Sequence, residues 1–233
     1  MTNGQVNARL AAAAELVRQN ATFADIGTDH AYLPLFLLES GRIKYAYCSD
    51  INEGPLALAR RNSEERGRVD DMDFILTDGA AALQGRGITD YAICGMGGEL
   101  IADIISKAPH LYSAEVNLIL QPMSRQAVLR KFLASEGFSV KVESYSYDAG
   151  KYYVCLLATY TGVKREIDDI ESELGFSEAE YLGDEARRGY LSTILKARLR
   201  ALEGKIKGGE ENPPERAIVD EIKKTLERIN HDS

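Results

Sequence analysis

The feature that most constrains this chain is an alternation between residues 22 and 136. Short apolar runs that close on Gly or Asp take turns with helix-patterned stretches. The runs are Thr22–Ile26, Tyr45–Ser49, Asp73–Leu76, Asp90–Cys94 and Asn117–Leu120. The helical stretches are Ala31–Leu38, Gly54–Arg66, Glu99–Lys107 and Ser124–Glu136. An amphipathic helix over 5–19, with Val6, Leu10, Ala13 and Val17 on one side, precedes them. Strands separated by helices join as βαβ units, so the pattern predicts a parallel sheet with helices on both faces.

The alternation then stops. Phe138–Tyr147 and Tyr152–Tyr160 are strand-like runs joined by Asp148-Ala149-Gly150-Lys151, a hairpin connection. Five βα units closed by an antiparallel hairpin make a Rossmann-like α/β sheet of the class I methyltransferase layout over residues 1–160. From 161 to 233 the composition turns charged and helix-favouring. Ser177–Lys207 and Glu215–Asn230 read as two helices linked through 208–214. Leu182, Tyr190, Ile194, Ala197 and Ala201 share one side of the first, and Ile218, Ile222, Leu226 and Ile229 one side of the second. That is a helical hairpin resembling an antiparallel coiled coil.

In open α/β sheets, ligands bind beyond the carboxyl ends of the strands. The first such end is Asp25-Ile26-Gly27-Thr28-Asp29-His30. Gly27 lets the backbone turn tightly beside a ligand. A dinucleotide fingerprint needs further glycines to admit a pyrophosphate, and those places hold Asp29 and Tyr32. A carboxylate repels a pyrophosphate but attracts the cationic, phosphate-free S-adenosylmethionine. The second end, Asp50-Ile51-Asn52, offers an acid for two ribose hydroxyls. At the third, Asp78-Gly79, the acid can accept from an adenine amino group and the glycine leaves room for the ring. At the fourth, Gly95-Met96-Gly97-Gly98 offers bare backbone near the methyl group. Each acid also has a structural reading: Asp29 as a helix cap, Asp50 and Asp78 as turn residues. Together, in order, they specify a cofactor site.

Composition removes other classes. The 28 basic and 36 acidic side chains leave a net charge of −8, unlike a globally basic nucleic-acid binder. Cys48, Cys94 and Cys155 sit apart in apolar runs, which predicts reduced core thiols and no metal site. No signal peptide and no run of ~18 apolar residues is present, so the expectation is a cytoplasmic protein without a membrane partner.

The segments ADIGTDHAYLP (24–34), SDIN with GPLALA (49–59), TDGAAAL (77–83), CGMGGELI (94–101) and ILQPM (119–123) resemble the bacterial tRNA (adenine(22)-N1)-methyltransferases, over essentially the whole chain. One departure is Met123, where that family leads us to expect Asn after Gln-Pro. The resemblance implies S-adenosylmethionine as cofactor, tRNA as partner and N1 of a D-arm adenine as methyl acceptor. It further implies a catalytic carboxylate at Asp29, beside the adenine N6 amino group; the competing reading is that Asp29 only binds the cofactor. Tyr32 and Met96 are expected to line the base pocket, and Gly97, Gly98 and Pro122 to lie on the substrate side.

Between 187 and 207 the bases Arg187, Arg188, Lys196, Arg198, Arg200, Lys205 and Lys207 face only Glu203 in acid. A basic stripe on a long helix can follow a phosphate backbone. Arg9, Arg18, Arg125, Arg130 and Lys131 are expected to extend that surface, and a monomer is expected. A small-molecule methyltransferase and a non-catalytic cofactor- or RNA-binding module remain the alternative readings.

Overall fold

A computed structural model describes residues 6–176, 178–209 and 213–231. The chain runs α1 (Ala8–Glu15), β1 (Phe23–Ile26), α2 (Tyr32–Glu39), β2 (Ala46–Asp50), α3 (Glu53–Glu65), β3 (Met72–Leu76), β4 (Asp90–Gly97) and α4 (Gly98–Ser106). It continues through β5 (Asn117–Ser124), α5 (Gln126–Glu136), β6 (Phe138–Asp148), β7 (Lys151–Tyr160), α6 (Asp169–Leu174), β8 (Glu180–Leu182), α7 (Asp184–Lys207) and α8 (Pro213–His231).

The strands form one sheet in the order β3-β2-β1-β4-β5-β7-β6-β8. β1 to β5 are parallel, β7 is antiparallel to both β5 and β6, and β8 is parallel to β6. The alternation over 22–136 and the hairpin after it are thus present as read. β4 and β5 run further than expected, pairing out to Gly97 and Ser124 through register shifts around Gly95 and Met96.

The core lies on both faces of the sheet. Ile101, Ile105, Leu129 and Leu133 from α4 and α5 pack on one side. Ala13, Ala14, Leu35 and Leu37 from α1 and α2 pack on the other. Local signals close the elements: Asn7 caps α1 by accepting from Leu10 N at 3.0 Å, and Gly137 ends α5 with φ +89°.

The segment after 160 departs from the sequence reading. The helix foreseen from 177 begins at Asp184; Ser177 itself lies outside the described residues. Ahead of it come the short helix α6 and the strand β8, neither of them anticipated. The buried stripe of α7 is Tyr190, Leu191, Leu195 and Leu202, whereas Ala197 and Ala201 are exposed and Ile194 is only partly buried. This stripe joins Val219, Ile222 and Leu226 of α8 in the same core as the sheet. The foreseen side chains of Lys207, Ile218 and Ile229 lie outside the described residues.

Candidate active site

Neighbouring strands bring the acid- and glycine-bearing ends side by side, because β3, β2, β1 and β4 are consecutive in the sheet. The turn after β1 is pinned to β2: Gly27 N and Thr28 N both donate to Ser49 O, at 2.8 and 2.9 Å. Gly27 has φ +73°, and a Cβ there would meet Met96 Cε at 1.9 Å, so the β1 turn and the β4 end are in direct contact. Ala31, at φ 55°, turns the chain into α2.

Asp25 is buried in β1. Burial pushes its carboxyl up to about 6; the Asp50 charge adds to this, while the Thr28 hydroxyl and the Arg9 guanidinium oppose it. The Thr28 hydroxyl is buried without a well-formed hydrogen bond. Asp29 instead stands in solvent, its side chain 72% exposed, with Oδ2 3.1 Å from His30 Nε2. The His30 ring stacks on Tyr32 at a centroid distance of 4.9 Å, and His30 O accepts from Asn62 Nδ2 at 3.0 Å. Asp29 does not cap α2, whose first turn has no side-chain cap.

Asp50 does serve its turn, since Oδ1 accepts from Asn52 N at 2.7 Å. That bond uses one of the two carboxylate oxygens. Ile51 is 61% exposed beside it, an apolar surface on the rim. Asp78 is exposed beyond β3, and Gly79 (φ +68°) lies over Ile104 of α4.

Gly98 has a packing role: a Cβ there would lie 2.3 Å from Arg125 O, so α4 and the β5–α5 turn touch backbone to backbone. At Gly97 the nearest atom to such a Cβ is Ser124 Oγ at 3.4 Å, and Pro122 is buried under the same rim.

One contact could not be read from the sequence. Gln121, fully buried at the β5 end, accepts through Oε1 from Arg9 Nη1 at 2.6 Å and from Gly95 N at 3.1 Å. Its Nε2 donates to Pro122 O at 3.2 Å and weakly to Met123 Sδ at 3.6 Å. Arg9 therefore faces into the strand ends, its guanidinium 5.9 Å from the Tyr153 ring centroid. These partners lie 112 residues apart in the chain, and no local signal joins them.

Other expected surface cations have structural partners. Arg18 binds Asp90 and the carbonyls of Thr89 and Glu115, at the amino end of the sheet. Arg130 is completely buried against Glu143, so it is no part of a surface. Lys131 pairs with Asp169, and Arg125 sits 3.7 Å from Glu99. On α7, Arg187 lies over the Tyr181 ring at 3.7 Å and Arg198 is 3.8 Å from Asp169. Arg188 is half-buried, and Lys196 and Arg200 are exposed. Cys48 and Cys155 are buried thiols and Cys94 is partly buried; none is in a disulfide. Among the described residues no cluster of His, Cys, Asp or Glu could hold a metal ion, and no helix is long and apolar enough to cross a membrane.

Residues 6–156 match the methyltransferase-domain family. The tRNA (adenine(22)-N(1))-methyltransferase of Bacillus subtilis is 29% identical over 191 residues, covering 82% of this chain and 80% of that protein. A crystal structure of Streptococcus pneumoniae Sp1610 in complex with S-adenosyl-L-methionine is 31% identical, with a TM-score of 0.80 over 95% of this chain and 100% of that one. The B. subtilis m1A22 tRNA methyltransferase TrmK shares the fold at 24% identity and TM-score 0.67, over 97% of this chain and 98% of that one. The methyltransferase-domain match over most of the chain, together with the 31% identity to Sp1610 along that protein's whole length, shows that the chain belongs to the tRNA (adenine(22)-N(1))-methyltransferase family of class I methyltransferases.

Proposed function

We propose that this chain transfers a methyl group from S-adenosyl-L-methionine to N1 of the adenine at position 22 of tRNA. The observation that carries the reading is the order of the strand ends: Asp78, Asp50, the Gly27 turn and Gly95-Met96 follow one another across adjacent strands. That order matches adenine, ribose and methionyl parts of the cofactor in sequence, and no phosphate-binding glycine pattern is present. When bound, S-adenosylmethionine supplies a methyl group on a sulfonium.

The work left to the chain is alignment and charge stabilisation. Neutral adenine N1 carries a lone pair, so no base is needed before attack. Asp29, exposed beyond the Gly27 turn, accepts a hydrogen bond from the adenine N6 amino group. That contact strengthens N1 as a nucleophile and stabilises the positive charge that grows on the ring. Asp29 can then take the N6 proton from the cationic product. The His30–Tyr32 stack stands next to it as an aromatic wall for a base swung out of its helix, which N1 on the Watson–Crick edge requires. Gly97 keeps the opposite wall low, above buried Pro122.

Residues 1–160 are assigned the chemistry, and residues 161–233 the grip on RNA, through Arg188, Lys196 and Arg200 on α7. Labelled cofactor incubated with bulk tRNA and the purified chain tests the reading. Label in tRNA is expected; label only in small molecules, or none, would overturn it.

A further inference from the structure

We infer that Met123 and Leu100 form an apolar wedge that takes the place of the target adenine in the tRNA stack and holds it out for methylation. The inference rests on the function proposed above and gives that site a positioning surface. N1 is reachable only after the base has left its stack. The gap exposes the faces of the neighbouring bases, and the adenine falls back unless something apolar covers them. Aliphatic side chains inserted at a base step do this without competing for hydrogen bonds. At the rim of the site Leu100 on α4 is 50% exposed, Met123 at the end of β5 44% and Val128 on α5 40%. One exposed apolar residue is ordinary, but these three stand on segments that touch. Gly97 pairs with Ser124, and a Cβ on Gly98 would lie 2.3 Å from Arg125 O.

The mount is close to the chemistry and held in place. Met123 follows Pro122, which pairs with Met96, and Met96 in turn reaches the Gly27 turn. Gln121, buried beneath, donates weakly to Met123 Sδ at 3.6 Å, and Gln126 Nε2 donates to Pro122 O at 3.4 Å. The surroundings select nucleic acid as the occupant. One turn beyond Val128 on α5, Lys131 pairs with Asp169, which lies 3.8 Å from Arg198 of α7. The apolar surface therefore lies between the strand ends and the helix that carries Lys196 and Arg200. Arg125 stands beside it, 68% exposed and only 3.7 Å from Glu99, a loose surface pair that can yield to a phosphate. A tRNA held by α7 with its target at the β4 end must pass over Met123 and Leu100.

The test uses the full chain and two unmodified tRNA transcripts, one intact and one lacking the bases on either side of the target adenine. Met123→Ser with Leu100→Ser should lower kcat/KM on the intact transcript by about 10-fold or more, the scale of losing buried apolar side chains. On the transcript without flanking bases there is nothing for a wedge to cover, and the loss should shrink to about 2-fold. With 2-aminopurine in place of the target adenine, the wild-type chain should raise the fluorescence as the base leaves its stack, and the serine variant should raise it less. Met123→Leu should keep both readouts near wild type, and it carries the comparison if the serine variant does not fold. Tm and S-adenosylhomocysteine affinity should not move. Equal loss on both transcripts would mean a contact to the target base or to tRNA in general, and would overturn the inference. Undiminished activity and fluorescence in the serine variant would overturn it too. A wild-type chain that methylates neither transcript would instead sink the function proposed above.

Discussion

Asp29 Oδ2 lies 3.1 Å from His30 Nε2, on the open side of a turn whose other acid, Asp25, is buried in β1. Two carboxylates four residues apart thus have opposite environments. The exposed one is free to meet a large substrate; the enclosed one can act only on what enters the cleft. Asp29→Asn keeps the shape and removes the charge. The expected outcome is a fall in turnover of at least about 100-fold, the scale of one general acid–base group, with S-adenosylhomocysteine affinity changed little. Single-turnover methylation and calorimetry separate the two, and an equal loss of both would assign Asp29 to cofactor binding alone.

The buried acid gives a pH signature. Burial pushes the Asp25 carboxyl up to about 6 in the folded chain, from the ordinary 3.8. Its folded value is raised, so the native state holds the proton more tightly and stability falls as pH rises from about 4 to 6. Ionising the enclosed carboxyl costs on the order of 3 kcal/mol of stability above that window. Cofactor affinity should move the other way, rising through pH 6 as the carboxylate ionises to face an ammonium. Asp25→Asn should flatten both profiles, as read by chemical denaturation and calorimetry between pH 5 and 8.

Gly98 and Gly27 separate packing from function. At Gly98 a methyl group would meet the Arg125 carbonyl, which is backbone and cannot swing aside. Gly98→Ala should cost ~1–3 kcal/mol, which a chain of this size registers as a drop of several degrees in Tm. At Gly27 the obstacle is the mobile end of Met96, though φ +73° adds strain. Gly27→Ala should therefore lose cofactor affinity more than stability.

The Arg130–Glu143 pair ties α5 and β6 to the segment before β8. Glu143 also accepts from Tyr145 Oη and from Phe176 N, and Arg130 donates to Ser172 O. Removing one partner strands a buried charge, so Glu143→Ala should destabilise by ~3–5 kcal/mol in urea unfolding. Replacing both with apolar residues should cost less than that.

The α7 cations should divide by their partners. Lys196→Glu with Arg200→Glu should raise KM for tRNA and lower the salt dependence of binding, leaving Tm and cofactor affinity near wild type. Arg187→Ala removes the guanidinium stacked on Tyr181 and should lower Tm as well.

What was legible in the sequence follows physical range. The strand ends were readable because each acid or glycine is adjacent in sequence to the apolar run that positions it. Residues 178–183 read as helix because Glu, Ala and Leu favour it. Gly183, with φ +76° and a Cβ position 2.3 Å from Tyr145 O, breaks the chain there. Asp184 and Glu185 after it carry the ordinary acidic signal of a helix start. That signal could have moved the boundary; the pairing of β8 with β6 is a tertiary outcome with no local mark. The same holds for Arg9 and Gln121, and for Arg130, whose positive charge reads as surface until Glu143 is seen to bury it.

The central claim is the site of methylation. Unmodified tRNA treated with the purified chain and S-adenosylmethionine, then mapped nucleotide by nucleotide, tests it most directly. The account predicts N1-methyladenine at position 22, absent when Asp29→Asn replaces the wild-type chain. Methylation at another position or atom, or undiminished modification by the Asp29 variant, would contradict it.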